Sequence, residues 1–358
     1  MNCELRYALY HFKKTVFRLC LMVLYSVIVI NADIHSSYQV YNLGNDPAGT
    51  VHTFTLTAFG FNFLFLAFLV GILELTQFKN RRNLDTWFSL PLDRWKLALI
   101  HFINGAVQLF AAHTISFLWG YIKIAKYIPL YNLDRGAMIS MYFVLLGVGL
   151  VFYGMVMFSF TVANNTFDGV MFSFAYIITP IMLISFFFDG ILRYTPLRGL
   201  ADSDCSGGLV FLIYGFADRF SRLFSCKYKG YKIDPITTLY IVWMTIWIVV
   251  GIALTVLGIW LFTKKKAEKI GGISDSILGY RLLIPITMFT AVLSMGGSLG
   301  IGLLYGIFTL ILYVIFRRGI KLHIPDIIIL GIITILGNIP LNYGSEISDL
   351  IRNLIGTK

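Results

Sequence analysis

Long apolar runs recur along this chain, and they constrain its fold more than any other feature. The stretches 53–75, 97–121, 136–160, 169–188 and 236–262 are almost free of charge, and each has the roughly 20 residues that an α-helix needs to cross a hydrocarbon layer about 30 Å thick. Composition agrees: 58% of the 358 residues are apolar and 13% charged, whereas soluble domains run near half apolar and a quarter charged. The scarcity of Pro (9) and Cys (4) removes collagen-like and disulfide-scaffold readings, and the apolar excess removes disorder. The fold class expected is all-α, a polytopic helical membrane protein.

The formal charge of +11 does not point to nucleic acid, because the basic residues cluster at the ends of apolar runs rather than on one soluble face. Such clusters mark the cytoplasmic ends of spans and the lipid headgroups beside them. Residues 1–16 repeat apolar side chains at Leu5, Leu9, Phe12 and Val16 between Arg6, Lys13 and Lys14, the pattern of an amphipathic helix lying in the membrane surface. The basic start followed by an apolar run resembles a signal peptide, but 30–32 is a poor cleavage site, so an uncleaved first span is expected at 17–34. No Lys or Arg occurs in 35–52, whereas Lys79, Arg81, Arg82, Arg94 and Lys96 crowd the connection after the second span, 53–75. Placing five such charges in the bilayer core would cost about 2.5–3.5 kcal/mol each. That connection is therefore expected in the cytoplasm, and the N-terminus with it.

Further along, a polar turn at 161–168 joins spans four and five, and a long loop at 189–235 is expected outside. Its Cys205 and Cys226 can pair if that side is oxidising, or remain thiols. The triplet Lys264, Lys265 and Lys266 returns the chain to the cytoplasm and opens a basic linker, 263–281. The stretch 282–316 has basic flanks on both sides and Gly296, Gly297 and Gly300 in its middle, so it is expected to be a hairpin of two crossings. One more run, 324–343, completes a C-terminal extension, 282–343, with a short tail at 344–358. The sequence count is about nine spans: six in a core at 17–262 and three beyond it.

The chemistry of the spans is sparse. No G-x-x-x-x-G-K-[ST] phosphate loop and no H-E-x-x-H occur, and His11, His35, His52, His101, His113 and His323 lack metal-ligand spacing, so no metal site is expected. Asp33, Glu74 and Asp168 lie only at span ends, which argues against a proton-driven carrier or an intramembrane hydrolase. No catalytic residue is assigned. Energy for any transport must come from another chain.

The segment 76–96 is the most informative. After span two it carries a basic stretch, then Leu84, Trp87 and Phe88 among polar neighbours, then Pro91, which breaks the helix, and Asp93, which can cap the next one. A helix-break-helix elbow of this kind offers aromatics to a cytoplasmic partner while joined to two spans. This stretch, Arg81 to Lys96 with Ser89, Leu90 and Pro91 at its centre, resembles the coupling-helix region of ABC-2 type transporter permeases. The surface helix, the turn between spans four and five, the outer loop and the six-span plan are similar to that family, and Lys264 to Gly271 resembles the basic tail of a Gram-positive bacterial subgroup. The likeness ends near Gly272. The resemblance implies a non-catalytic permease half of an exporter in the bacterial plasma membrane, paired with a second permease chain, the same or a sister. It also implies two separate ATP-binding subunits that hold ATP and magnesium, with no cofactor on this chain. Glu74, Arg81, Arg82, Asp85, Trp87, Leu90, Pro91 and Arg94 would then meet the ATPase. A membrane-anchored sensor or assembly factor with a ligand-binding outer loop is the competing reading, and an ion-driven carrier stands third.

His101, Asn104 and Gln108 share one face of span three, and Asn62 lies inside span two. Polar groups in lipid turn toward protein or water. These four are therefore interhelical hydrogen-bond partners or part of a substrate path.

Overall fold

The apolar runs do form helices, as a backbone without water partners must satisfy its own hydrogen bonds. A computed structural model describes residues 3–37, 39–42, 50–53, 57–80, 92–127, 135–186, 238–272, 274, 276–295 and 300–338. Its elements are α1 (Cys3–Ser37), β1 (Gln39–Asn42), β2 (Thr50–Thr53), α2 (Thr57–Thr76) running into a 3-10 turn at Gln77–Lys79, α3 (Arg94–Tyr127), α4 (Arg135–Val162), α5 (Thr166–Ser185), α6 (Thr238–Lys264), α7 (Leu282–Met295), α8 (Ile301–Arg317) and α9 (Ile324–Asn338). Among the described residues, seven helical stretches, within α1 to α6 and the run Ile277–Ser294 that takes in most of α7, are long and apolar enough to cross a membrane. The protein is a multi-pass helical membrane protein. Helices α8 and α9, with 17 and 15 residues, fall short of the roughly 20 needed for a span of their own.

Three features depart from the expected plan. Strands β1 and β2 pair antiparallel, Gln39 opposite Thr53 and Asn42 opposite Thr50, so the connection after α1 holds a small two-stranded sheet among described residues that are otherwise helical or irregular. The surface helix and the first span are one uninterrupted rod, α1, of 35 residues, about 52 Å at 1.5 Å per residue and longer than the hydrocarbon layer. Along its first half Leu5, Leu9 and Val16 are exposed while His11 is buried. The face of α1 that carries Tyr7, His11, Thr15 and Arg18 thus turns onto protein, whereas Arg6, Lys13 and Lys14 are exposed along with the apolar stripe.

The chain divides into two compact units. The first comprises Met1–Gln77, Asp85–Phe158 and Leu212–Lys264. In it α1 packs on α3 and α2, and α3 packs on α2 and α6. Helices α4 and α6 approach closely: a Cβ on Gly251 would lie 3.0 Å from the Val151 Cα, and one on Gly154 would lie 3.2 Å from the Gly251 carbonyl oxygen. The second unit comprises Phe78–Leu84, Ser159–Phe211 and Lys265–Lys358. There α5 packs on α7, and α8 on α9. Gly302 and Gly306 lie at the α8–α9 crossing, against Asn338 and Thr334. Asp326 in the first turn of α9 accepts from Arg317 Nε at 2.9 Å and from the His323 amide at 3.1 Å, which fixes the turn between these helices. The C-cap of α8 is Arg318, with φ of 51°.

Candidate functional site

A carboxylate inside a helix bundle must be matched by donors, since an uncompensated buried charge costs several kcal/mol. Glu74, on the last turn of α2, is fully buried in the first unit. Its Oε1 accepts from Arg18 Nη2 on α1 and from Asn104 Nδ2 on α3, the latter at 2.8 Å. Its Oε2 lies 3.0 Å from His11 Nε2 and 2.9 Å from His101 Nδ1. One side chain thereby gathers α1, α2 and α3.

A second layer orients these partners. Arg18 also donates to Gln108 Oε1, from Nε at 2.8 Å and from Nη2 at 2.6 Å. Gln108 Nε2 in turn donates to Thr15 Oγ1 at 2.5 Å. Tyr7 Oη lies 3.0 Å from His101 Nε2, so the tyrosine hydroxyl donates when His101 carries its proton on Nδ1 and donates a hydrogen bond from there to Glu74 Oε2. The rings of His11 and His101 are 4.1 Å apart, centroid to centroid. Gly105 leaves the space for all this, because a Cβ there would strike the Tyr153 hydroxyl and come within 3.1 Å of Glu74 Cγ. The ligand-type atoms of His11, Glu74 and His101 lie within 4.8 Å of one another. This trio is a group the spacing of histidines in sequence did not indicate.

The expected residues divide sharply. His101, Asn104 and Gln108 all enter the cluster and make interhelical bonds there. Asn62 does not: it sits about 18 Å along α2 from Glu74, buried near His113 and Ser116, with no hydrogen-bond partner on its Oδ1. Glu74, which the resemblance placed at the ATPase contact, has its side chain fully buried among α1, α2 and α3. Arg94, at the start of α3, is exposed. Arg81, Arg82, Asp85, Trp87, Leu90 and Pro91 lie outside the described residues, as do Cys205 and Cys226. Tyr7, His11, Thr15 and Arg18 were missed, although all four recur at steps of four, four and three residues on one face of α1.

The second unit holds its own polar node. Asn165 caps α5 by accepting from the Asp168 amide at 2.7 Å. Asp168 is buried and accepts from Ser274 Oγ at 2.5 Å and from Tyr280 Oη at 2.9 Å. Two lysines reach the carbonyls that end α4 and begin this turn: Lys79 donates to Phe160 and, at 2.5 Å, to Ala163, and Lys265 donates to Ala163 and, at 2.8 Å, to Thr161. Cations at a helix C-terminus match its dipole. Burial pushes the Lys265 ammonium down to about 8, so it loses its proton well before an exposed lysine near pH 10.4.

Comparison with protein-family models, with curated proteins and with solved structures finds no match for this chain.

Proposed function

We propose that this chain is the permease subunit of an ATP-driven exporter of the ABC-2 type, without catalytic activity of its own. In this reading it lies in a bacterial plasma membrane with its N-terminus in the cytoplasm. It pairs with a second permease chain and with two ATP-binding subunits, which hold ATP and magnesium. The elbow between α2 and α3 receives the ATPase, and its displacement tilts the helices that line the path.

One observation supports this reading above the others. The two helix ends that flank the elbow, at Glu74 on α2 and His101 on α3, are joined to each other and to α1 through buried hydrogen bonds and an ion pair. Force applied to the elbow would therefore move three helices together instead of fraying one. Glu74 and His101 lie toward the ends of α2 and α3 that meet the elbow, which suits a mechanical anchor of that elbow.

The test is co-purification of the chain with an ATP-binding subunit from its native membrane, comparing wild type with Trp87→Ala plus Arg94→Glu. Loss of association in the variant is the expected outcome. Equal recovery of the ATPase by both would remove the elbow from the contact. Solute movement driven by an ion gradient in vesicles holding the purified chain alone would replace this function with that of a carrier.

A further inference from the structure

The trio of His11, Glu74 and His101 has the composition of a metal centre as well as that of an anchor. Two imidazole nitrogens and one carboxylate oxygen converge from three helices, all three residues are buried, and their ligand atoms lie within 4.8 Å of one another. Imidazole and carboxylate together suit divalent first-row transition ions. The division of labour on Glu74 favours such an ion: Oε1 is taken by Arg18 and Asn104, while Oε2 faces only the two rings. The outer partners are also those of a metal site. With Nδ1 of His101 on an ion, its proton moves to Nε2 and is donated to Tyr7 Oη, 3.0 Å away, the orienting bond that ligating histidines make.

A second observation is independent of the trio. Asn104 Oδ1 is buried without a hydrogen-bond partner, although its own Nδ2 bonds Glu74. Buried oxygens are nearly always satisfied, and one that is not commonly marks a place for water or an ion.

We infer that His11, Glu74 and His101 bind one divalent transition ion, of which Zn²⁺ is the representative, and that Arg18 competes with it for Glu74. Arg18 already neutralises the carboxylate, so an arriving dication meets a like charge and binds best when Arg18 lets go. The site would then exist in two states, arginine-paired and metal-held, both tying α1 to α2 and α3. Nothing in this inference depends on an ATPase partner.

The experiment uses the full chain, purified in detergent without a polyhistidine tag, with Co²⁺ and Zn²⁺ as the probes. Wild type is expected to take up one Co²⁺ per chain, with visible d–d absorption that Zn²⁺ abolishes. His11→Gln and His101→Gln are each expected to weaken uptake at least about tenfold, His113→Gln to leave it unchanged, and Arg18→Gln to tighten it. Wild-type protein that stays colourless and binds no Zn²⁺ at 100 μM, roughly the weakest affinity a resident site would have, overturns the proposal even if a variant fails to fold. Uptake that survives unchanged in the His11→Gln/His101→Gln double variant overturns it as well.

Discussion

Arg18 and Glu74 show how one buried charge dictates the fate of its neighbours. Glu74 is fully buried and Arg18 mostly so, with side-chain exposures of 0% and 18%. A pair of this kind adds little net stability relative to apolar residues of the same shape, but removing one partner strands the other. Glu74→Gln keeps the shape and leaves Arg18 without its counter-charge. The expected loss is roughly 3 kcal/mol, read as a lower thermal midpoint in detergent. Adding Arg18→Met should restore part of that loss, whereas a simple packing defect would deepen. His101, Asn104 and Gln108 were legible as a polar face because their spacing along α3 is helical. Which way that face turned was not legible, since it depends on a carboxylate on another helix.

At the scale of elements, small residues decide which helices approach. Helices α4 and α6 pass so closely at Gly154 and Gly251 that a side chain on Gly251 would meet the backbone of Val151 at 3.0 Å. Packing between helices in lipid rests on such contacts, as no hydrophobic force drives it. Gly251→Leu is therefore expected to push α6 from α4 at a cost of about 1–3 kcal/mol, seen as a lower melting temperature with Gly331→Leu as the control, because a Cβ there meets nothing within 4 Å. The helices themselves were readable from length and hydropathy. The single rod of α1 was not, because a face of Tyr7, His11 and Thr15 turned onto other helices repeats at the same period as the polar face of a helix resting on the membrane surface.

For the molecule as a whole, orientation is the property most open to a direct test. Ser274, a natural place to probe the linker after α6, is buried and bonded to Asp168, so a cysteine there would escape reagents from either side. Glu268 is exposed in the same linker. Glu268→Cys should resist an impermeant maleimide on intact cells and react once they are opened, whereas Ser206→Cys in the long loop should react on intact cells. The opposite pattern would invert the topology. The expectation rests on basic clusters, since the cost of moving charge across lipid depends on residue type and position along the chain alone. The two-unit division was not readable, because its segments alternate along the sequence.

The sequence by itself determined that this is a helical membrane protein, roughly where its helices begin and end, and which stretch connects α2 to α3. Those properties follow from transfer of single side chains and of backbone between water and lipid, which needs no knowledge of neighbours. Only the tertiary structure decided that His11, Arg18, Glu74 and His101 meet. Convergence of residues tens of positions apart depends on how three helices are rotated and packed, and no local term along the chain records that.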